Sequence, residues 1–356
     1  QALEDHYSPS RWSPRLGRDT IIDAHLAVTA AGAERGAGRG AVLGATAPCS
    51  PPPPAGTERA RASARTLLHV PYGNGDREKL DIYFPAEPSE SEWRGGGPGS
   101  AQGGHPAHPA LCRAAFPVLV YIHGGYWQCL SKDDSGFAAP PLVSQGVAVV
   151  ALGYDIAPKG RCCPAEAAAA CVAQRPPTLP FVPCLGHMDS MVLQVRRSLV
   201  FLVERYPGIR GIYLCGHSAG AHLAAMVLAT DWTEFQVVPD IKGAVLVSGL
   251  YDLEPILHTY VNDALQMSRE EAQRNSPMRH VTPAPPAACQ VLVAVAQHDS
   301  PEFRRQSQEY SQALRAAGWS VSVLDLAGVD HFDIIERLSE DSYILTQVGR
   351  RAVPRW

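Results

Sequence analysis

The residues with the clearest chemical potential are Gly216-His217-Ser218-Ala219-Gly220, which follow the apolar run Ile212-Tyr-Leu-Cys215 and precede an Ala- and Leu-rich helical pattern. A serine between two glycines on a strand–turn–helix is a nucleophile elbow, because the glycines leave room for a strained turn that lifts the hydroxyl clear of the backbone. The helix then aims its first N–H groups at any oxyanion formed there. Three fixed residues alone would arise by chance about 0.1 times in a chain this long, so the flanking strand and helix carry the reading. A second motif, His123-Gly124-Gly125-Tyr126-Trp127, follows the apolar run Val118-Leu-Val-Tyr-Ile122. Paired glycines let backbone N–H groups approach an acyl oxygen with no Cβ in the way. The expected oxyanion donors are the amides of Gly124, Gly125 and Ala219, with His123 orienting the loop rather than acting as a base.

An acyl-transferring serine needs a base, and the base needs an acid to orient it. The expected chain order is Ser, then Asp or Glu, then His. Downstream histidines are His222, His258, His280, His298 and His331. His222 lies four residues past Ser218 on the same helix and reads as local packing or capping. His298 directly precedes the best acid and is poorly placed to face it. His331 sits in Gly328-Val-Asp-His331-Phe-Asp, after the last strand and before a final helical stretch, where a base belongs. Asp299, ending the strand around Gln290–Val295, is the expected acid; Asp252, ending the preceding strand, is its rival. The intervals of 81 residues from Ser218 to Asp299 and 32 from Asp299 to His331 leave room for the intervening β/α units.

The elements that must hold these residues read as α/β. Val118–Ile122, Val147–Ala151, Ile212–Cys215, Ala244–Val247, Val291–Val295 and Val321–Leu324 are short, uniformly apolar runs. Strands of that kind, separated by helices, imply a mostly parallel sheet covered on both faces. Between two of them, Met188, Met191, Val195, Leu199 and Leu202 recur at i+3 or i+4 and make one apolar helix face, stopped by Tyr206-Pro207-Gly208. Another helix spans about 302–317.

The 356 residues carry a net charge of −4, which gives no electrostatic reason to bind nucleic acid or an anionic membrane. No apolar run approaches the ~18–20 residues of a membrane span. Nine cysteines, an odd number without regular spacing, argue for reduced thiols rather than a secreted disulfide framework. The cluster Cys162, Cys163, Cys171, Cys184 and His187 lacks the paired spacing of a zinc site, and no P-loop or dinucleotide fingerprint follows a strand. The N-terminal stretch lacks the basic and apolar regions of a signal peptide. Gly and Pro number 31 each, about one residue in six together against roughly one in eight usually. The excess concentrates in three low-complexity stretches, 31–57, 88–115 and 161–186. They lack the periodic apolar pattern that offsets chain entropy. The expected organisation is an N-terminal helical segment over 1–30, a low-complexity insertion over 31–57, and a domain over 58–356 carrying loop insertions near 88–115 and 161–186.

The two motifs together, with Gly216-His-Ser-Ala-Gly-Ala-His-Leu-Ala225 extended along the helix, resemble the vertebrate kynurenine formamidases (arylformamidases) of the α/β-hydrolase superfamily. Further matches are Tyr7-Ser-Pro-Ser-Arg-Trp12, Leu67-Leu-His-Val-Pro-Tyr-Gly73, Asp81-Ile-Tyr-Phe-Pro85, Ala157-Pro-Lys-Gly160, Gln273-Arg-Asn-Ser-Pro277, Asp299-Ser-Pro-Glu-Phe303 and Val329-Asp-His-Phe332. The Tyr-Trp after His-Gly-Gly is the most specific mark. The resemblance implies an α/β-hydrolase fold and hydrolysis of N-formyl-L-kynurenine to L-kynurenine and formate, a step of tryptophan catabolism. It implies no metal or other cofactor, a small-molecule substrate, and work in the cytosol with some nuclear presence. Carried over, the nucleophile falls on Ser218, the acid on Asp299, the base on His331, and the oxyanion loop on His123 to Trp127. Stacking of the aryl amine on Tyr126 or Trp127 is the expected substrate contact.

The three low-complexity stretches have no counterpart in the family pattern. Their composition fits translated intron sequence or a splice variant, and loose packing is expected there. Three alternatives stay open at this point: a general carboxylesterase with the same triad, an inactive binding protein on the same fold, and an isoform weakened by its insertions. A homodimer stays open as well.

Overall fold

A computed structural model describes residues 2–29, 56–85, 116–158, 187–284 and 289–352. Its frame is one eight-stranded sheet: β1 (Arg65–Pro71), β2 (Lys79–Phe84), β3 (Phe116–Ile122), β4 (Ala148–Leu152), β5 (Ile209–His217), β6 (Ile241–Val247), β7 (Gln290–His298) and β8 (Ser320–Asp330). The spatial order is β1-β2-β4-β3-β5-β6-β7-β8. β1 pairs antiparallel with β2, and β2 antiparallel with β4; every other pairing is parallel.

The six apolar runs account for β3 to β8. Every residue of β3 and of β4 is buried, as a parallel strand with helices on both faces requires. Alternate side chains of β3 serve two cores. Val118, Val120 and Ile122 join Val150, Leu152 and Leu214 on one face, while Leu119 and Tyr121 join Val149, Ala151 and Phe137 on the other. The expected helix is His187–Arg205, and Met188, Met191, Val195, Leu199 and Leu202 are all buried against the first face. Each contributes roughly 1.5–3 kcal/mol of burial, and Leu199→Ala at a fully enclosed site would cost about 2–5 kcal/mol. The helices Ala219–Leu228 and Pro301–Ala316 pack on the same face.

β1 and β2 were not legible as strands. β1 is mostly exposed, so it lacks a buried run. In β2, Leu80, Ile82 and Phe84 face one core and Tyr83 the other, but Asp81 interrupts the pattern, completely buried. Its carboxylate is neutralised from a distance: Lys132 Nζ lies 2.9 Å away and Arg61 Nη2 3.1 Å away, and the His69 backbone N–H donates to it at 2.8 Å.

Residues 2–29 include the helices Ala2–His6 and Arg18–Thr29. The helix Gly56–Ser63 runs across the 57/58 boundary suggested by composition, and its first two residues are buried, with Thr57 Oγ1 donating to the Thr29 carbonyl at 2.8 Å. The stretches 31–55, 88–115 and 161–186 lie outside the described residues. Among the described residues, no helix is long and apolar enough to cross a membrane.

Candidate active site

One regularity governs the site. His123, Ser218, Ser248, Asp299 and His331 are each the first residue after a strand, namely β3, β5, β6, β7 and β8. These strands are parallel, so their carboxyl ends share one edge of the sheet, where an open α/β sheet collects its reactive groups.

Ser218 turns the chain from β5 into the helix Ala219–Leu228 at φ 55° and ψ −119°. A non-glycine residue there stores about 1–3 kcal/mol of strain and persists only where its surroundings over-determine it. The constraints are visible. The Ser218 N–H donates to the Val247 carbonyl at 2.8 Å. A Cβ on Gly220 would collide with the Ile122 carbonyl oxygen, so only glycine lets the helix Ala219–Leu228 approach β3 this closely. Likewise a Cβ on Gly124 would meet the His217 carbonyl at 2.8 Å and Ser218 Cβ at 3.1 Å. The His123–Trp127 loop is thus seated directly against the turn at Ser218.

That loop is itself strained, with φ of 91° at Gly125, 50° at Tyr126 and 57° at Trp127. Anchors on both sides hold it. Tyr126 Oη donates to the Tyr7 carbonyl at 2.5 Å, the Ala157 N–H donates to the Trp127 carbonyl at 2.7 Å, and Trp127 Nε1 donates to His222 Nδ1 at 3.2 Å. His222 in turn donates through Nε2 to the Asn275 carbonyl at 2.6 Å. Burial pushes its pKa down to about 4, so it stays neutral, and only the neutral ring can accept from Trp127 while donating to Asn275. Sequence reasoning took His222 for local packing; it ties the nucleophile helix to a loop 95 residues away. Trp127 is fully enclosed, which corrects the expectation that its ring is offered to a substrate. Tyr126 is half-buried and remains the aromatic candidate, edge-on to Phe303 at 6.1 Å.

His123 is buried, stacked on Tyr154 at 4.2 Å, with Nδ1 3.0 Å from the Gly124 carbonyl. Burial lowers its pKa to about 4, as suits a neutral loop-orienting residue. It also lines a cavity of about 340 Å³ with His69, Arg77, Lys79, Lys132 and Tyr154, among others; Ser218, Asp299 and His331 do not line it.

Asp299 and His331 meet. His331 Nδ1 lies 2.6 Å from Asp299 Oδ1, and both residues are buried. The other oxygen, Oδ2, accepts from Ser248 Oγ at 2.5 Å and from the Ala296 N–H at 2.9 Å. Asp299 is therefore fully hydrogen-bonded, as a buried carboxylate must be. Ser248, at φ 47°, was not singled out from the sequence; its only signal is its place directly after β6. The His331 ring packs against Phe303 at 4.8 Å and His217 at 4.7 Å. His217 Nε2 donates to the His331 carbonyl at 2.8 Å, which joins the residue before Ser218 to His331. Burial, then the neighbouring His331 and His25, hold the His217 pKa well below its usual value.

Asp252, the rival acid, sits in a turn instead. Its carboxylate accepts from the Glu254 N–H at 3.2 Å and its own N–H donates to Gln306. His280 bonds the Arg274 carbonyl, and His258 is exposed.

Only His69, Asp81 and Asp133 converge as metal ligands would among the described residues. Lys132 Nζ already occupies their centre, 2.7 Å from His69 Nδ1 and 2.9 Å from each carboxylate. An internal ammonium takes a cation's place there.

Comparison with known proteins agrees with the fold. A family model for the α/β hydrolase fold matches residues 119–333. Esterase B of Lactobacillus rhamnosis superposes with a TM-score of 0.56 at 16% identity, covering 83% of this chain and 87% of that one, a likeness of fold. The kynurenine formamidase of Danio rerio is 46% identical over 348 residues, covering 97% of this chain and 94% of its own length. That of Salmo salar is 45% identical with the same coverage. The chain therefore belongs to the kynurenine formamidases of the α/β hydrolase family.

Proposed function

We propose that the protein is a serine hydrolase that cleaves N-formyl-L-kynurenine to L-kynurenine and formate, with Ser218 as nucleophile, His331 as base and Asp299 as acid. The observation that carries the residue roles is the 2.6 Å Asp299–His331 bond, buried beside the strained elbow that presents Ser218. The substrate rests on the close kinship with kynurenine formamidases.

In this reading Ser218 Oγ attacks the formyl carbon and its proton passes to His331 Nε2, leaving Nδ1–H on Asp299. The N–H groups of Gly124, Gly125 and Ala219 receive the oxyanion, each well-placed donor being worth roughly 3 kcal/mol. Collapse breaks the C–N bond, and His331 returns the proton to the departing aryl amine. Water then attacks the formyl ester and gives a proton to His331. Formate leaves as Ser218 regains its hydrogen. The anchored loop suits this chemistry because its amides are fixed before the charge develops. Trp127 acts by positioning the loop through His222, and Tyr126 stacks on the aryl group. The place of work is the cytosol, with a nuclear share.

Kynurenine formation by the purified protein, measured beside Ser218→Ala, tests this. Turnover abolished by the substitution is expected. Turnover of acetyl esters alone would favour a general carboxylesterase instead.

A further inference from the structure

The stretch that matches the hydrolase family begins at residue 119, yet residues 6–25 touch three loops of the site, those after β3, β7 and β8. The His6 carbonyl accepts from Ser300 Oγ at 2.5 Å, next to the acid. The Tyr7 carbonyl accepts from Tyr126 of the oxyanion loop. The densest contact is with the loop of the base. Arg15 grips the fully buried Asp330 with two prongs, Nε to Oδ2 at 2.8 Å and Nη2 to Oδ1 at 3.1 Å. Ser13 Oγ adds a third bond to Oδ2 at 2.6 Å.

Asp330 immediately precedes His331, and its Oδ1 also accepts from the N–H groups of Phe332 and Asp333 at 2.9 and 2.8 Å. The carboxylate thus fixes the turn in which His331 sits. Arg15 further reaches Asp333 at 2.8 Å and Glu336 at 3.1 Å, and His25 Nδ1 lies 2.8 Å from Glu336. One guanidinium is set among three carboxylates that would otherwise repel across a single turn. Burial opposes the charge on Asp330, but the bonds from Arg15, Ser13 and the turn hold its pKa down at about 2.

We propose that Arg15 is a positioning residue for His331, acting through Asp330, so that the N-terminal strap is a working part of the site. This rests on His331 being the base, as proposed above. A base displaced by about 1 Å costs on the order of 100-fold in rate, and the strap supplies three of the five hydrogen bonds to Asp330 named above.

The test uses the full chain with Arg15→Met, Arg15→Lys and Ser13→Ala, comparing kcat and KM on N-formyl-L-kynurenine well below each variant's melting temperature. Arg15→Met is expected to lower kcat about 10- to 100-fold with KM nearly unchanged. Arg15→Lys should recover part of that, because an ammonium keeps the charge but loses the two-pronged geometry. Ser13→Ala should lower kcat about threefold, the size of one modest hydrogen bond. A lower melting temperature with wild-type kcat in Arg15→Met would overturn the proposal. If that variant does not fold, wild-type kcat in both Arg15→Lys and Ser13→Ala would overturn it equally. Ser218→Ala separates the two levels: turnover surviving there defeats the serine mechanism itself, whereas a dead Ser218→Ala beside a normal Arg15→Met defeats only the role of Arg15.

Discussion

Two buried carboxylates on the same sheet have opposite surroundings. Asp81, in the antiparallel strand β2, second from one end of the sheet, faces Lys132 and Arg61. Asp299, after the parallel strand β7, faces the His331 imidazole, the Ser248 hydroxyl and the Ala296 N–H. Both are satisfied, so burial alone does not tell them apart. The partners do. Ammonium and guanidinium are fixed cations, and the Asp81 cluster is a set of fixed charges that ties β2 to the segment around Lys132. Around Asp299 the hydrogen bonds from Ser248 and the Ala296 N–H hold the carboxylate, and through it the His331 ring, in one orientation.

That contrast can be broken most forcefully at Asp299. Asp299→Asn keeps the size and loses the charge that fixes the His331 tautomer, so kcat should fall about 10⁴-fold while circular dichroism shows the fold retained. At the other carboxylate the loss should appear in stability. Lys132→Met leaves Asp81 buried and short of a counter-charge, which should cost about 3–5 kcal/mol in urea unfolding, with wild-type kcat in the protein that remains folded.

Acid should separate the two regions next. His123, His217 and His222 are all held below their usual pKa by burial, the first and last at about 4. Folded, they are neutral; unfolded, they take up protons as the pH drops through about 6.5. The unfolded state therefore binds more protons in that window, and stability, complete above about pH 6.5, falls towards pH 4. His222 alone should account for about 2 kcal/mol between pH 7 and pH 5, and His222→Gln should flatten the slope of unfolding free energy against pH. The smallest effect is the finest test. Ser248→Ala removes one bond to Asp299 and should lower kcat about tenfold without approaching Asp299→Asn.

The same two regions show what a sequence reveals. β3 to β8 were legible because each is a continuous apolar run, and the helix His187–Arg205 because its apolar residues repeat at three and four. The candidate site could be picked out where a motif is tied to a strand end, at Ser218, Asp299, His331 and the His123–Trp127 loop, which the sheet places along one edge. β2 was not, because Asp81 breaks the run and its neutralising Lys132 lies 51 residues away. Ser248 escaped for the same reason, being 51 residues from the carboxylate it serves. Trp127 was misread as a stacking surface and His222 as local packing, since only the fold brings the two rings into contact. Periodicity and local motifs report neighbours in sequence; pairings across the sheet carry no such mark.

The most direct measurement is the rate at which a fluorophosphonate labels Ser218 in folded wild type, Asp299→Asn and Lys132→Met, compared at one temperature below all three melts. The account predicts equal labelling in wild type and Lys132→Met, and labelling slowed by orders of magnitude in Asp299→Asn. Undiminished labelling of Asp299→Asn, or an equal loss in both variants, would contradict it.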